Sequence, residues 1–359
     1  MQLSQTAVDT LEEKLLSKVK WLSAALILSV SLCGCDGQVK PSETAEQNTV
    51  TFFAMDTAMD LTSYGDAQNL EQAKGRVAEL ESLFSVTDES GELYEVNHNG
   101  RAILSDDTLS LLSNGLELCR RTKGALDLSI CPVVRVWGFT TGNYHVPDDS
   151  ELSELLSHVD YTGISLNRDT KTVTLRHGME IDFGSIAKGY TGDQLLKLFQ
   201  ESGITSALLN LGGNVQALGS KPDGSPWRVA VKNPTGDGIL GVLSIEDRAV
   251  ITSGGYERYF ESGGQIYWHI IDPATGYPAQ NGLISVTVVG ESGVVCDGLS
   301  TALFVMGPEA AVGLWRASDD FEAVLVLEDG SVSITEGLES TFTLTGSYAD
   351  VPLTVIRHD

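Results

Sequence analysis

The sequence predicts an α+β fold, and three observations carry that expectation. Strand-like and helix-like patterns alternate irregularly; several strands fall in consecutive hairpins; and helices separate groups of hairpins instead of following every strand. A regularly wound parallel sheet would need a crossover helix after each strand. With 359 residues and 42% hydrophobic content, the chain can bury one large core or two moderate ones.

From Thr49 the run TVTFFAMDTAMDLTSYG opens as a strand. Asp66 can then cap a helix, because Leu70, Ala73, Val77, Leu80 and Phe84 recur at the three- and four-residue spacing of one helical face. A second helix is expected from about Asp106 to Thr122, with Gly124 just past its end. ISLNRDTKTVTL, residues 164–175, reads as a hairpin around a polar turn holding Asn167 and Asp169. A third helix runs from Ser185 towards Ser202 and stops near Gly203. Segments 205–211, 227–232, 240–252, 257–271 and 283–289 read as strands joined by glycine-rich turns. Residues 294–306 and 308–317 read as helices, and FEAVLVLEDGSVSIT, residues 321–335, as a hairpin with an Asp-Gly turn. No repeat, proline-rich tract or long linker interrupts residues 49–359, so one continuous catalytic-size domain is expected there.

The N-terminal 34 residues read as an address. Lys14, Lys18 and Lys20 precede the apolar run WLSAALILSVSL, about 12 residues long and too short to span a bilayer comfortably. In the LCGC that follows, Gly34 before Cys35 and Leu32 three residues ahead resemble the lipobox at which bacterial signal peptides are cut and the new terminal Cys is acylated. An ordinary secretory signal or a buried strand is the plainer alternative, although the polar tract that follows opposes the strand. Residues 35–48 have the composition of a flexible tether. The expected location is the extracytoplasmic face of the bacterial cell membrane, held by a lipid anchor.

Forty-nine acidic against 23 basic residues give a formal net charge of −26. That balance excludes nucleic acid as a partner, because phosphate backbones need Lys and Arg in excess. Any phosphate ligand must be held locally, by backbone N–H groups, one or two cations, or a metal. Beyond Cys33 and Cys35 only Cys119, Cys131 and Cys296 remain, with no C-x-x-C spacing. Neither a disulfide framework nor a zinc site is indicated, and buried free thiols are expected, although one pair could bridge.

Four segments place polar residues where packing alone would not ask for them. Asp127 sits inside the apolar, strand-like KGALDLSICPVVRVWGF. Asp182 precedes a glycine and a helix N-terminus in IDFGSIAKGYTGD, with Lys188 beyond it. His269 and Asp272 bracket two isoleucines in YWHIIDPATGYP, and Asp297 and Thr301 lie four apart on one helix face in CDGLSTALFVMG. Singly, each has a plain explanation: a turn acceptor, a helix cap, a hydrogen-bonded edge histidine, a local surface pair.

Together, in this order, they resemble the ApbE family of FAD:protein FMN transferases. The matching stretches are Gly124–Ser129 with Trp137-Gly138-Phe139, Asp182–Tyr190, Asn210–Asn214, His269–Gly276 and Asp297–Thr301, and AMDT at 54–57 extends the likeness to the start of the domain. The resemblance implies an ApbE-like fold of mixed, mostly antiparallel sheets with flanking helices and an active site in a cleft between two lobes. It implies Mg²⁺-dependent transfer of FMN from FAD to a Ser or Thr hydroxyl of a client protein, releasing AMP. Asp297, Thr301 and the Ser185 carbonyl would hold the metal. Met55, Ala125, Leu126, Asp127, Asp182, Lys188 and Ile271 would line the FAD site. His269, with an imidazole near its ordinary pKa of about 6.5, would take the hydroxyl proton. Clients would be flavin-carrying subunits of membrane redox complexes or secreted flavoproteins.

Two positions depart from the family pattern. Asp56 stands where a glycine is usual, and Thr87 where an aromatic would stack on the ligand, leaving Tyr94 as a neighbouring ring that could substitute. Two rival readings share these residues: an FAD pyrophosphatase that uses water in place of the client, and a non-enzymatic flavin-binding lipoprotein.

Overall fold

The computed structural model describes residues 46–358. The expected signal peptide, Cys35 and most of the expected tether lie outside the described residues. Elements follow in chain order: β1 (Gln47–Ala54), β2 (Thr57–Tyr64), α1 (Gln68–Phe84), α2 (Glu92–Asn99), β3 (Arg101–Ile103), α3 (Asp106–Arg121), α4 (Cys131–Val136), α5 (Asp149–Leu156), β4 (Ile164–Asn167), β5 (Thr172–Leu175), α6 (Ala187–Glu201), β6 (Ala207–Leu211), β7 (Asn214–Leu218), β8 (Trp227–Lys232) and β9 (Ile239–Ile245). After these come β10 (Ala249–Gly254), β11 (Tyr259–Ser262), β12 (Gln265–Trp268), β13 (Leu283–Gly290), α7 (Gly293–Arg316), β14 (Phe321–Leu327), β15 (Val332–Thr335), β16 (Phe342–Leu344) and β17 (Leu353–Ile356).

A nine-stranded sheet in the order β1-β2-β6-β7-β10-β13-β14-β15-β17 forms the frame, antiparallel throughout except where β15 meets β17. Smaller sheets, β16-β9-β8, β3-β5-β4 and the two-stranded β11-β12, complete the α+β architecture. Leu70, Ala73, Val77, Leu80 and Phe84 of α1 are buried, and Asp66 accepts from the Gln68 N–H at 2.9 Å to satisfy a free amide at the helix start. The 164–175 and 321–335 hairpins form as the pattern requires.

Two strand assignments need correction. Segment 240–252 is not one strand: the polar Glu246-Asp247-Arg248 turn, with Asp247 at φ 48°, splits it into β9 and β10, which belong to different sheets. Segment 257–271 likewise folds back on itself at Gly263-Gly264, whose φ values of 60° and 80° make the tight turn between β11 and β12. Strand β7, as long as β6, follows the Gly212-Gly213 turn, a hairpin pair that the sequence reading passed over.

Helix α7 contains the kink that the sequence places at Gly307-Pro308. Gly307 has φ 76°, and a Cβ there would stand 2.8 Å from the Asn281 carbonyl oxygen. Its first half, from Gly293 to Val305, is buried almost all round against β10 and β13. A helix so apolar belongs to a core, which makes the carboxylate of Asp297 within it conspicuous. Cys119, Cys131 and Cys296 are buried and unpaired.

Candidate active site

One end of the large sheet carries two tight turns side by side. Ala54 pairs with Thr57 and Leu211 with Asn214, so each hairpin has a two-residue loop. Met55 and Asp56 have φ 48° and 59°, and Gly212 and Gly213 have φ 66° and 98°, the signs that a type I′ turn demands. Pairing of β2 with β6 brings the turns together, and a Cβ on Gly212 would meet Thr57 Oγ1 at 2.1 Å. Met55 therefore lies in a turn, not within the strand that the sequence suggested. Its strained backbone is held by a 2.6 Å bond from its N–H to Glu81 of α1.

Beneath the turns, α6 and α7 touch through glycine. A Cβ on Gly189 would stand 2.2 Å from the Gly293 carbonyl oxygen and 2.7 Å from Asp297 Cβ, so only glycine permits this approach. The Gly189 N–H donates to Asp297 Oδ2 at 2.8 Å instead of to the carbonyl four residues back. Ser185, which owns that carbonyl, is left with no backbone donor on it among the described residues. Gln216 Nε2 donates to the Gly189 carbonyl at 2.8 Å, and Asp193 accepts from the N–H groups of Gly293 and Val294 at 2.7 and 3.0 Å, capping α7. Ser253 Oγ reaches both Ser300 Oγ, at 2.8 Å, and Thr301 Oγ1, at 3.2 Å.

Burial pushes the Asp297 carboxyl up to about 6, against the opposing pull of Lys188 and the Gly189 amide. Asp193 is pushed to about 6 for the same first reason, with Asp297 adding to it. Burial also raises Glu257, which Lys188 and Lys232 pull back. Lys188 thus faces buried Asp297 and, at the cleft surface, Glu257, and the site has the electrostatics of a place for a cation.

The opposite wall is fixed by bonds between the motif segments. Trp137 Nε1 donates to the Gly276 carbonyl at 2.8 Å, tying the Trp-Gly-Phe stretch to the turn after His269. Asp272 is absorbed by that turn, where its Oδ1 accepts from the Ala274 N–H at 2.9 Å. Asp127 is not in a strand: it caps a short 3₁₀ turn, with Oδ1 accepting from Ser129 N–H and Oγ at 2.8 and 2.6 Å and Oδ2 from Tyr161 N–H at 3.0 Å. Such a fully bonded carboxylate shapes the wall. Asp182 Oδ1 accepts from Gly184 N–H at 2.6 Å, and burial raises its pKa.

His269 closes β12. Its backbone N–H donates to the Arg258 carbonyl at 3.1 Å, and its Nδ1 lies 3.2 Å from the same oxygen. A carbonyl can only accept, so Nδ1 carries the proton and Nε2 presents a lone pair. The expectation of an ordinary pKa is corrected: burial, aided by Arg258 and Lys188, pulls the imidazolium down to about 4.

All eleven site residues predicted within the described chain line one cleft of about 700 Å³: Met55, Ala125, Leu126, Asp127, Asp182, Ser185, Lys188, His269, Ile271, Asp297 and Thr301. Asp56 and Thr87 line it too. Tyr94 does not; its ring stacks on His98 at 4.6 Å, outside the cleft, and cannot replace the missing aromatic. Sequence reasoning passed over Glu257, Arg258, Lys232 and Ser253, which also line the cleft. Only Ser253 carried a signal, as a polar residue ending an apolar strand; the charged residues looked like a solvated surface.

The profile of the ApbE family matches residues 55–325. The FAD:protein FMN transferase of Klebsiella pneumoniae (strain 342) is 32% identical over 265 residues, 72% of this chain and 82% of that protein. A protein of the same name from Vibrio cholerae serotype O1 is 31% identical over 313 residues, 83% of this chain and 91% of its own length. The crystal structure of the ApbE protein from Thermotoga maritima MSB8 superposes with a TM-score of 0.77 at 31% identity, covering 81% of this chain and 98% of that one. The flavin transferase ApbE from Vibrio cholerae gives 0.71 at 26% identity, covering 85% and 98%. By profile, by relatives and by fold, the chain belongs to the ApbE family.

Proposed function

We propose that this protein is an FAD:protein FMN transferase that moves FMN from FAD to a Ser or Thr hydroxyl of a client protein, with Mg²⁺, on the outer face of the cell membrane. The name carried by its relatives supports the transfer. One observation carries the metal-dependent reading. Asp297 takes the Gly189 amide, which leaves the Ser185 carbonyl free beside a buried carboxylate and the Thr301 hydroxyl.

Carbonyl, carboxylate and hydroxyl form a hard-oxygen donor set of the kind Mg²⁺ takes, with waters and phosphate oxygens filling the remainder. Ser185, Asp297 and Thr301 would hold the ion, and when bound it supplies neutralising charge at the pyrophosphate. Lys188 adds a fixed positive charge on the same side. His269 Nε2 accepts the proton of the client hydroxyl as its oxygen bonds to the FMN-side phosphorus. The bond from that phosphorus to the bridging oxygen breaks, and AMP leaves with the electron pair. Arg258, through its carbonyl, keeps the imidazole in the tautomer that can accept. The motif around Cys35 supports signal cleavage after residue 34, acylation, and a tether over 35–48 that leads to the transferase domain of 49–359.

The test is mass spectrometry of a candidate acceptor co-expressed with the intact protein or with Asp297→Ala. Only the intact protein should add FMN, less water, to a hydroxyl residue. AMP with free FMN would mark a pyrophosphatase, and tight FAD binding with no AMP a carrier; either result overturns the transferase reading.

A further inference from the structure

The β11–β12 hairpin leaves and re-enters the cleft through Arg258 and His269, and the outer main-chain groups of β11 have no backbone partner among the described residues. Pairing of Phe260 with Tyr267 and of Arg258 with His269 turns the N–H and C=O groups of residues 258, 260 and 262 inward, towards β12. The alternate residues Tyr259 and Glu261 point theirs away from β12. No backbone group among the described residues bonds to them, and β11–β12 is a sheet of two strands only. Tyr259 is 47% exposed. Proteins ordinarily cover or blunt such an edge.

We propose that the outer edge of β11 is where the client docks, its acceptor segment adding as an extended third strand that delivers the hydroxyl to His269. The occupant follows from the reaction, and the inference rests on the transferase reading. Of the two substrates only the client is a polypeptide, and it must reach the cleft where this edge begins, at Glu257 and Arg258, both of which line it. An added strand would take its affinity from main-chain bonds to Tyr259 and Glu261 and its specificity from side-chain alternation. Phe260 and His269 both contact Phe139, with ring centroids 5.7 and 6.3 Å away, so they share one face of the hairpin. The acceptor Ser or Thr lies on that face. Its two immediate neighbours lie on the other, and the one over Tyr259 is apolar.

The experiment uses the acceptor protein whose labelling defines the activity, and a synthetic peptide copied from its labelled site. Glu261→Pro removes an outward N–H and no bond within the hairpin. With this variant kcat/KM for the acceptor should fall about tenfold, the worth of one or two main-chain bonds, while FAD affinity is unchanged. Single N-methylation along the peptide should impair labelling at alternate residues, a pattern that does not depend on the variant folding. Labelling that is indifferent to both changes, or a loss without alternation, overturns the docking edge and leaves the transferase reading intact. No labelling of any acceptor by the intact protein removes both.

Discussion

The Gly189 amide and the Asp297 carboxylate meet at 2.8 Å, across two helices that could not approach so closely with any other residue at 189. This bond sets the spacing of α6 and α7, and it also determines which carbonyl is left over for a ligand. Gly189→Ala places a methyl 2.2 Å from the Gly293 carbonyl oxygen. The helices must separate, at a cost of about 1–3 kcal/mol in urea unfolding. The Mg²⁺ concentration needed for half-maximal transfer should rise more steeply than the KM for FAD.

Asp297 should make metal-free stability depend on pH. Its folded-state pKa of about 6 lies above the ordinary 3.8, so its protonated form is the one that folding favours. That contribution is whole below 3.8 and is lost as pH rises through 6. Without metal at pH 8, Asp297→Asn should be the more stable protein, by on the order of 1–3 kcal/mol. Excess Mg²⁺ should reverse the order, stabilising only the intact chain by mass action. Thermal unfolding with EDTA and with Mg²⁺ measures both. The intact protein proving more stable under EDTA at pH 8 would contradict the account.

His269 should leave its mark on the pH–rate profile. With the imidazolium pulled down to about 4, the free enzyme holds the neutral, proton-accepting form throughout the ordinary range. With enough Mg²⁺ to keep Asp297 ionised, the acid limb of kcat/KM for FAD should therefore fall near 4 and not near 6.5. Bound pyrophosphate brings negative charge that favours the imidazolium, so the limb of kcat should lie higher than that of kcat/KM. His269→Gln should lower kcat and abolish both limbs.

Thr87 is exposed on the cleft, and its backbone N–H donates to Ser85 Oγ at 3.1 Å, a bond that any side chain at 87 would keep. Thr87→Trp restores a stacking surface worth about 1 kcal/mol, so the FAD dissociation constant should fall roughly fivefold in a fluorescence titration.

Much of this site was legible because its chemistry sits in contiguous words. Gly189 and Lys188 belong to one such word and Asp297 and Thr301 to another, and each word is a helix face or turn that local spacing can reveal. The free Ser185 carbonyl was accessible only by likeness, since no side chain signals which main-chain oxygen a fold leaves unpaired. The depressed His269 pKa was invisible for a related reason: it arises first from burial in the cleft and then from Arg258 and Lys188, brought near by pairing of β11 with β12 and by packing of α6. The β11–β12 turn was legible in Gly263-Gly264, a pair that favours a two-residue hairpin loop, and reading residues 257–271 as one strand passed over it. Asp127 shows the converse error. An acid in an apolar stretch looked like a strand residue facing a ligand, when its carboxylate was already occupied by Ser129 and Tyr161.

Asp56 tests how far the cleft tolerates negative charge. It occupies the second position of a type I′ turn at φ 59°, a conformation Asp accepts at small cost and Gly at none. Asp56→Gly should thus change stability by less than about 1 kcal/mol in urea unfolding. Its larger effect should be on FAD. The carboxylate lines the cleft with five other acids, Glu81, Asp127, Asp182, Glu257 and Asp297, against Lys188, Lys232 and Arg258. Removing one negative charge from the rim should tighten the pyrophosphate-bearing ligand a fewfold at low ionic strength, and the gain should shrink as salt rises towards a Debye length of about 8 Å. A gain in FAD affinity that salt does not diminish would assign the effect to turn geometry instead of charge. A loss of affinity would mean that Asp56 itself holds part of the ligand.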